Sequence, residues 1–183
     1  MRNKSLTVYP LISVKSINSS LCSTTKEEAI KEMIELVNSD QVLTDKSKFL
    51  NLITERENLC STGLENGVAF LHPRIAVNEL VNKTTIGIGI SHKGIDFNSA
   101  DEELTYIFFI LCFKELENHL QCLSYLSRLC KDIEFINNLK NADNPKEILK
   151  IIDKKEKENK PTGIPPKNTL YSNAIMSFYR NKK

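Results

Sequence analysis

Asn66-Gly67-Val68-Ala69-Phe70-Leu71-His72-Pro73-Arg74 sets the fold of this chain: a short apolar run carries one histidine to a point where the strand must stop. Pro73 has no amide donor and a fixed φ, so regular strand pairing ends there. The run predicts a strand over 67–71. A rigid strand then presents an imidazole at its C-terminal end, where open α/β sheets place their ligand sites. The chain holds three histidines, and His72 has the clearest structural setting of them.

Upstream, Ser61-Thr62-Gly63-Leu64-Glu65-Asn66-Gly67 is a turn-rich loop. Before it, Asp45 can cap a helix over 46–58 with Phe49, Leu50 and Ile53 inward. Earlier still, Thr24 with Glu27 and Thr25 with Glu28 form overlapping capping boxes. Ala29, Ile30, Met33, Ile34 and Val37 follow at helical spacing, which predicts an amphipathic helix over 25–38. The clusters around Pro10 predict a strand near 11–17.

Downstream, residues 84–90 alternate strictly and predict a strand, with Gly87 and Gly89 marking a close backbone approach on one face. Lys93 to Phe97 reads as a turn into an extended piece. Leu104 to Phe113 is the most apolar run, rich in β-branched and aromatic residues, and predicts a central strand buried on both faces. The period then becomes helical from Glu115 to Leu129 through Leu116, Leu120, Leu123 and Leu126. Asp132 can cap a short helix with Ile133, Ile136 and Leu139 inward, and Asn144-Pro145 opens a last helix to about 153. This order predicts an α/β fold: a single-domain, three-layer α/β/α sandwich with a mixed sheet over 6–153, followed by a flexible tail over 154–183. The tail is expected to be a mobile linker over 154–169, with some apolar character from Leu170 to Tyr179.

Composition narrows the function classes. A formal charge of +2 implies no dominant nucleic-acid or anionic-membrane partner, and the mixed-sign run Lys154–Lys160 is a weak nucleic-acid signal. No run of 18 apolar residues occurs, so a membrane-embedded chain is not expected. Met1-Arg2-Asn3-Lys4 lacks a following secretory h-region. The five cysteines form no C-x-x-C pair, and Cys112, Cys122 and Cys130 lie in apolar periodic stretches. Buried small hydrophobes in a reducing, cytoplasmic compartment are expected rather than a zinc site.

Few side chains offer chemistry. His72 can be a metal ligand, a general base, a nucleophile, or simply a ring satisfied by a backbone carbonyl. Residues 66–75 offer it no metal co-ligand. His119 opens the long helix, where the positive dipole end favours a neutral imidazole able to donate to an anion; alternatively it is a surface residue. Arg56, in Glu55-Arg56-Glu57, is a solvated charge unless the fold brings it to His72, where it could bind a phosphoryl group through two oxygens. His92 follows the 84–90 strand in a polar turn. Gly63 to Gly67 leads into no helix, so it is not a phosphate-cradling P-loop.

Together, Arg56-Glu57, Ser61-Thr62-Gly63 and Asn66-Gly67-Val68-Ala69-Phe70-Leu71-His72 resemble the signature of type-2 enzyme IIA domains of the bacterial phosphoenolpyruvate-dependent phosphotransferase system. These are the fructose/mannitol and nitrogen-regulatory IIA proteins. The resemblance continues through Gly94-Ile95-Asp96-Phe97, the 104–113 strand, and His119-Leu120 with Leu123, Leu126, Arg128 and Leu129, covering roughly 6–153. It implies a mixed sheet between helical layers, His72 as phosphoacceptor, His119 as second active-site histidine and Arg56 as the phosphoryl-stabilising arginine. Ser61 and Thr62 fall in the matching loop as phosphate-binding support. It implies no metal or organic cofactor. It implies a histidine-containing phosphocarrier protein (HPr-like) as donor and a IIB component or regulatory target downstream. Leu71 stands where the family usually has proline, and Pro73-Arg74 where a small residue is usual; Arg74 adds a positive charge that could hold phosphate or select a partner.

Overall fold

The computed structural model describes residues 7–74 and 77–159. Among the described residues, five strands and five α-helices follow one another as β1 (Ile17–Asn18), α1 (Lys26–Asn38), α2 (Lys46–Leu59), β2 (Gly63–Leu64), β3 (Val68–Leu71), β4 (Thr85–Ile95), β5 (Thr105–Cys112), α3 (Leu116–Leu129), α4 (Ile133–Lys140) and α5 (Pro145–Glu158). One mixed sheet has the order β1-β4-β5-β3-β2. β3 lies parallel to β5, with Val68 to Leu71 opposite Ile107 to Ile110. β4 runs antiparallel to β5, and β2 antiparallel to β3.

The strand alternation sends two sets of side chains to two helical layers. Val68, Phe70, Ile86, Ile88, Ile90, Ile107 and Phe109 join the buried residues of α3, α4 and α5. Ala69, Leu71, Phe108, Ile110 and Cys112 join those of α1 and α2. The expected three-layer α/β/α sandwich is therefore present. Cys112, Cys122 and Cys130 are buried, as their apolar settings predict.

Local chemistry starts the helices where the sequence places them. Thr25 accepts the Glu28 amide while Glu28 reaches back, so the second of the two overlapping boxes caps α1. Asp45, Asp132 and Asn144 cap α2, α4 and α5. Each such cap is worth about 1 kcal/mol. Gly87 and Gly89 face α1. A Cβ on Gly87 would meet Val37 Cγ1 at 2.5 Å and Ile110 Cγ2 at 2.6 Å. Gly87→Ala is therefore expected to destabilise the fold by about 2 kcal/mol through overpacking, measured as a lower denaturant midpoint at unchanged slope.

The structure departs from the sequence expectations in four places. Residues 11–17 are not a strand: 3-10 turns at Tyr9–Leu11 and Val14–Ser16 precede the two-residue β1. Ser13 Oγ accepts the Ser16 amide and Ser16 Oγ the Ser13 amide, so local side-chain bonds replace a ladder there. β4 continues past residue 90 through an irregularity to Ile95. Ile133 and Leu116 are 65% and 45% exposed, whereas Phe135, Ile136 and Leu139 fill the core as α4's inward face. Finally, α5 runs to Glu158, beyond the expected end at 153. Ile148, Ile152 and Glu156 form its buried stripe. The Glu156 carboxylate accepts the Val8 amide at 2.7 Å and the Tyr9 amide at 3.1 Å, fixing the N-terminal segment to the last helix. Residues 160–183, most of the expected tail, lie outside the described residues.

Candidate active site

β3 is delivered by a tight turn: Asn66 and Gly67 both have positive φ, at 67° and 70°. A Cβ on Gly67 would lie 2.9 Å from the Leu104 carbonyl oxygen, so a side chain there is excluded by space as well as by backbone conformation. The four residues of β3 are all buried, and His72 follows directly at its C-terminal end. Leu71 is fully buried in the α1–α2 layer, so the leucine that departs from the family pattern serves as core.

His72 is 6% exposed. Its Nδ1 lies 2.9 Å from the Pro73 carbonyl oxygen. A carbonyl only accepts, so Nδ1 carries the proton and Nε2 keeps the lone pair. Pro73 thus has two roles: it ends the strand, and its carbonyl fixes the tautomer. Burial, then the neighbouring His119, then the Arg56 charge push the His72 pKa down to about 3, against the Pro73 hydrogen bond. At neutral pH the ring is uncharged.

His119 comes from α3 and is 2% exposed. Its amide donates to the Glu115 carbonyl at 3.1 Å, which seats it at the end of the helix's first turn. Its ring meets that of His72 edge-on, with centroids 4.8 Å apart at 63°. Phe113 packs on it at 5.9 Å. Burial pushes the His119 pKa down to about 4. Its Nε2 is buried without a hydrogen-bond partner among the described residues. Such a group costs about 1–3 kcal/mol unless something completes it, and an anion's oxygen at His72 would do so.

Arg56 lies in the last turn of α2, where its Nη1 donates to the Cys60 carbonyl at 2.8 Å. Its charge contributes to the low His72 pKa. The structure brings the rings of His72 and His119 together from two elements, and the Arg56 charge acts on His72.

Ser61 and Thr62 occupy the adjoining loop, but their hydroxyls point to structural partners. Ser61 Oγ donates to the Phe97 carbonyl at 2.6 Å, and Thr62 Oγ1 donates to Glu57 at 2.6 Å. Arg74 is half-buried. His92 is exposed on β4, outside the histidine pair. Glu57, read in the sequence only as part of the Arg56-Glu57 signature and given no role there, is only 3% exposed. Its signal was present: Phe49, Ile53 and Glu57 are spaced by four, so Glu57 continues the buried stripe of α2.

The two neutral histidines make stability pH-dependent. Both folded pKa values lie below the ordinary histidine value of 6.5. The unfolded chain therefore binds protons first as pH falls, and stability present above pH 6.5 is lost on the way down toward 4 and 3. Between pH 7 and 5 the loss is about 2 kcal/mol per histidine. Denaturant unfolding at both pH values should show that this loss shrinks in a His72→Gln/His119→Gln double variant.

The family described as "Phosphoenolpyruvate-dependent sugar phosphotransferase system, EIIA 2" matches residues 10–155. The fructose-specific EIIABC component of Bacillus subtilis is 30% identical over 152 residues, 82% of this chain. The chain spans about a quarter of that protein, 24% of its length. Nitrogen regulatory protein IIA-Ntr from Neisseria meningitidis superposes with a TM-score of 0.71 at 21% identity, over 79% of this chain and 98% of its own. The IIAMTL–phosphorylated IIBMTL complex from Escherichia coli gives a TM-score of 0.69 at 19% identity, over 79% and 99%. These two structural likenesses concern the fold. Among the described residues, no helix is long and apolar enough to cross a membrane.

Proposed function

The chain belongs to the EIIA 2 family of the phosphoenolpyruvate-dependent sugar phosphotransferase system, and on that premise we propose that it carries a phosphoryl group on Nε2 of His72. The observation that carries this is the His72 ring itself: buried, neutral, its Nδ1 proton committed to Pro73, and its Nε2 left as nucleophile beside His119 and Arg56. The donor is a phosphorylated histidine-containing phosphocarrier protein. The N–P bond on the donor ring breaks, its electron pair returning to that nitrogen, as the bond to His72 Nε2 forms. Phosphoryl transfer asks mainly for in-line positioning and charge stabilisation. Arg56 offsets charge on the equatorial oxygens, and the unpartnered His119 Nε2 donates to one of them. No metal or organic cofactor enters these steps.

The acceptor downstream is a IIB component or a regulatory target, in the cytoplasm. The complex of the structurally similar IIAMTL with phosphorylated IIBMTL supports the first of these. A second reading, an interaction module that has lost transfer, is motivated by Leu71 in place of proline. Against it, Leu71 is absorbed as fully buried core while the His72 tautomer is held by the carbonyl of the following proline. The two readings separate in one assay. The protein is incubated with phosphorylated carrier, then with a IIB domain. An acid-labile adduct that forms and then moves to the IIB domain is the expected result. A protein that stays unlabelled beside a labelled IIA control leaves the interaction module.

A further inference from the structure

Glu57 sits where four segments meet. Its carboxylate accepts the Thr62 amide at 2.9 and 3.1 Å and the Thr62 hydroxyl at 2.6 Å. Lys26, the first residue of α1, approaches it with Nζ 2.9 Å from Oε1. The two side chains are 2% and 15% exposed. The Lys26 ammonium also donates to the Phe97 carbonyl at 3.4 Å and lies 4.8 Å over the Phe97 ring. That carbonyl accepts Ser61 Oγ as well. The Thr62 carbonyl accepts the Phe70 amide at 3.2 Å, two residues before His72.

These bonds close a ring around the base of the site. Arg56 and Glu57 are consecutive, and their side chains grip consecutive parts of one loop: Arg56 holds the Cys60 carbonyl, and Glu57 holds Thr62. The loop is held in turn to β3 through Phe70 and to α1 through Lys26. A buried carboxylate is retained only when its acceptor sites are filled and its charge is matched, and Glu57 meets both conditions.

We propose that Glu57, neutralised by Lys26, is a positioning residue for phosphoryl transfer: it locks the Cys60–Gly63 loop so that Arg56 is aimed at the His72 phosphoryl group. This rests on His72 being the phosphoacceptor. Glu57 touches no reacting atom and acts through Arg56. Displacing a positioned group by about 1 Å is enough to cost up to about 100-fold in rate.

The test is a mutant cycle with full-length protein and phosphorylated carrier. Glu57→Gln should lower the maximal transfer rate constant about 10-fold and leave the carrier concentration for half-maximal rate within about twofold. In an Arg56→Lys background the same substitution should change the rate less than about twofold. An equal fold-loss in both backgrounds would overturn the proposal. Thr62→Val, which keeps the Lys26 pair, serves as the milder second variant, with a loss of about threefold; an unchanged rate there counts against the loop's role. A second readout is independent of turnover: the Arg56 guanidinium resonance should shift or broaden in Glu57→Gln, and an unmoved signal overturns the proposal. If wild type accepts no phosphate, the phosphoacceptor reading fails by itself, and the Arg56 resonance still decides the positioning role.

Discussion

Replacing His72 with glutamine should abolish labelling by a phosphorylated histidine-containing carrier, while the fold at pH 7 is retained. Glutamine keeps a polar side chain of similar reach but has no nucleophilic nitrogen, because its amide lone pair is delocalised. The neighbours His119 and Arg56 remain, so the loss isolates the nucleophile. His119 is the possible substitute acceptor. It is equally buried, and its pKa is also low, about 4. Yet its Nε2 has no hydrogen-bond partner among the described residues, whereas the Pro73 carbonyl holds the tautomer of His72. Label found on His119 in the His72→Gln variant would show that the pair shares the nucleophilic role.

His119→Phe gives the second large loss, about 100-fold in the transfer rate constant, or about 3 kcal/mol of barrier. Phenylalanine retains a ring against Phe113 and against the edge of His72. It removes the buried Nε2 that has no hydrogen-bond partner among the described residues. Stability should hold or rise, because an unsatisfied buried polar atom is removed. A rate within about threefold of wild type would mean that His119 serves packing rather than the transition state.

Much of this was legible in the chain. Val68 to Leu71 followed by His72-Pro73 gave the strand, its end and the histidine placed there. Thr25, Asp45, Asp132 and Asn144 gave the helix starts, and each cap forms. Gly87 and Gly89 gave the close approach of α1. The errors came where distant contacts override local pattern. The mixed-charge end of α5 reads as linker because composition does not reveal that Glu156 is answered by amides 148 and 147 residues away. Ser13 and Ser16 turned an apolar segment into a 3-10 turn through bonds with each other.

The site divides in the same way. His72 and Arg56 had local signatures, but the 4.8 Å approach of His119 depends on α3 packing beside the end of β3. Ser61 and Thr62 were placed correctly in the adjoining loop, yet their hydroxyls hold that loop in place. Glu57 and Glu156 share one sequence signal. Each is an acid that continues an apolar stripe at a spacing of four, after Phe49 and Ile53 in α2 and after Ile148 and Ile152 in α5. An acid in that position is buried and bonded rather than solvated, and in both helices it ties down a remote segment.

The most direct measurement is the nitrogen-resolved NMR spectrum of the ¹⁵N-labelled protein after incubation with phosphorylated carrier. Phosphorus should couple to Nε2 of His72, with Nδ1 still bearing the proton shared with the Pro73 carbonyl. Phosphorus on Nδ1, or on any other residue, would contradict the assignment of His72 Nε2 as the phosphoacceptor.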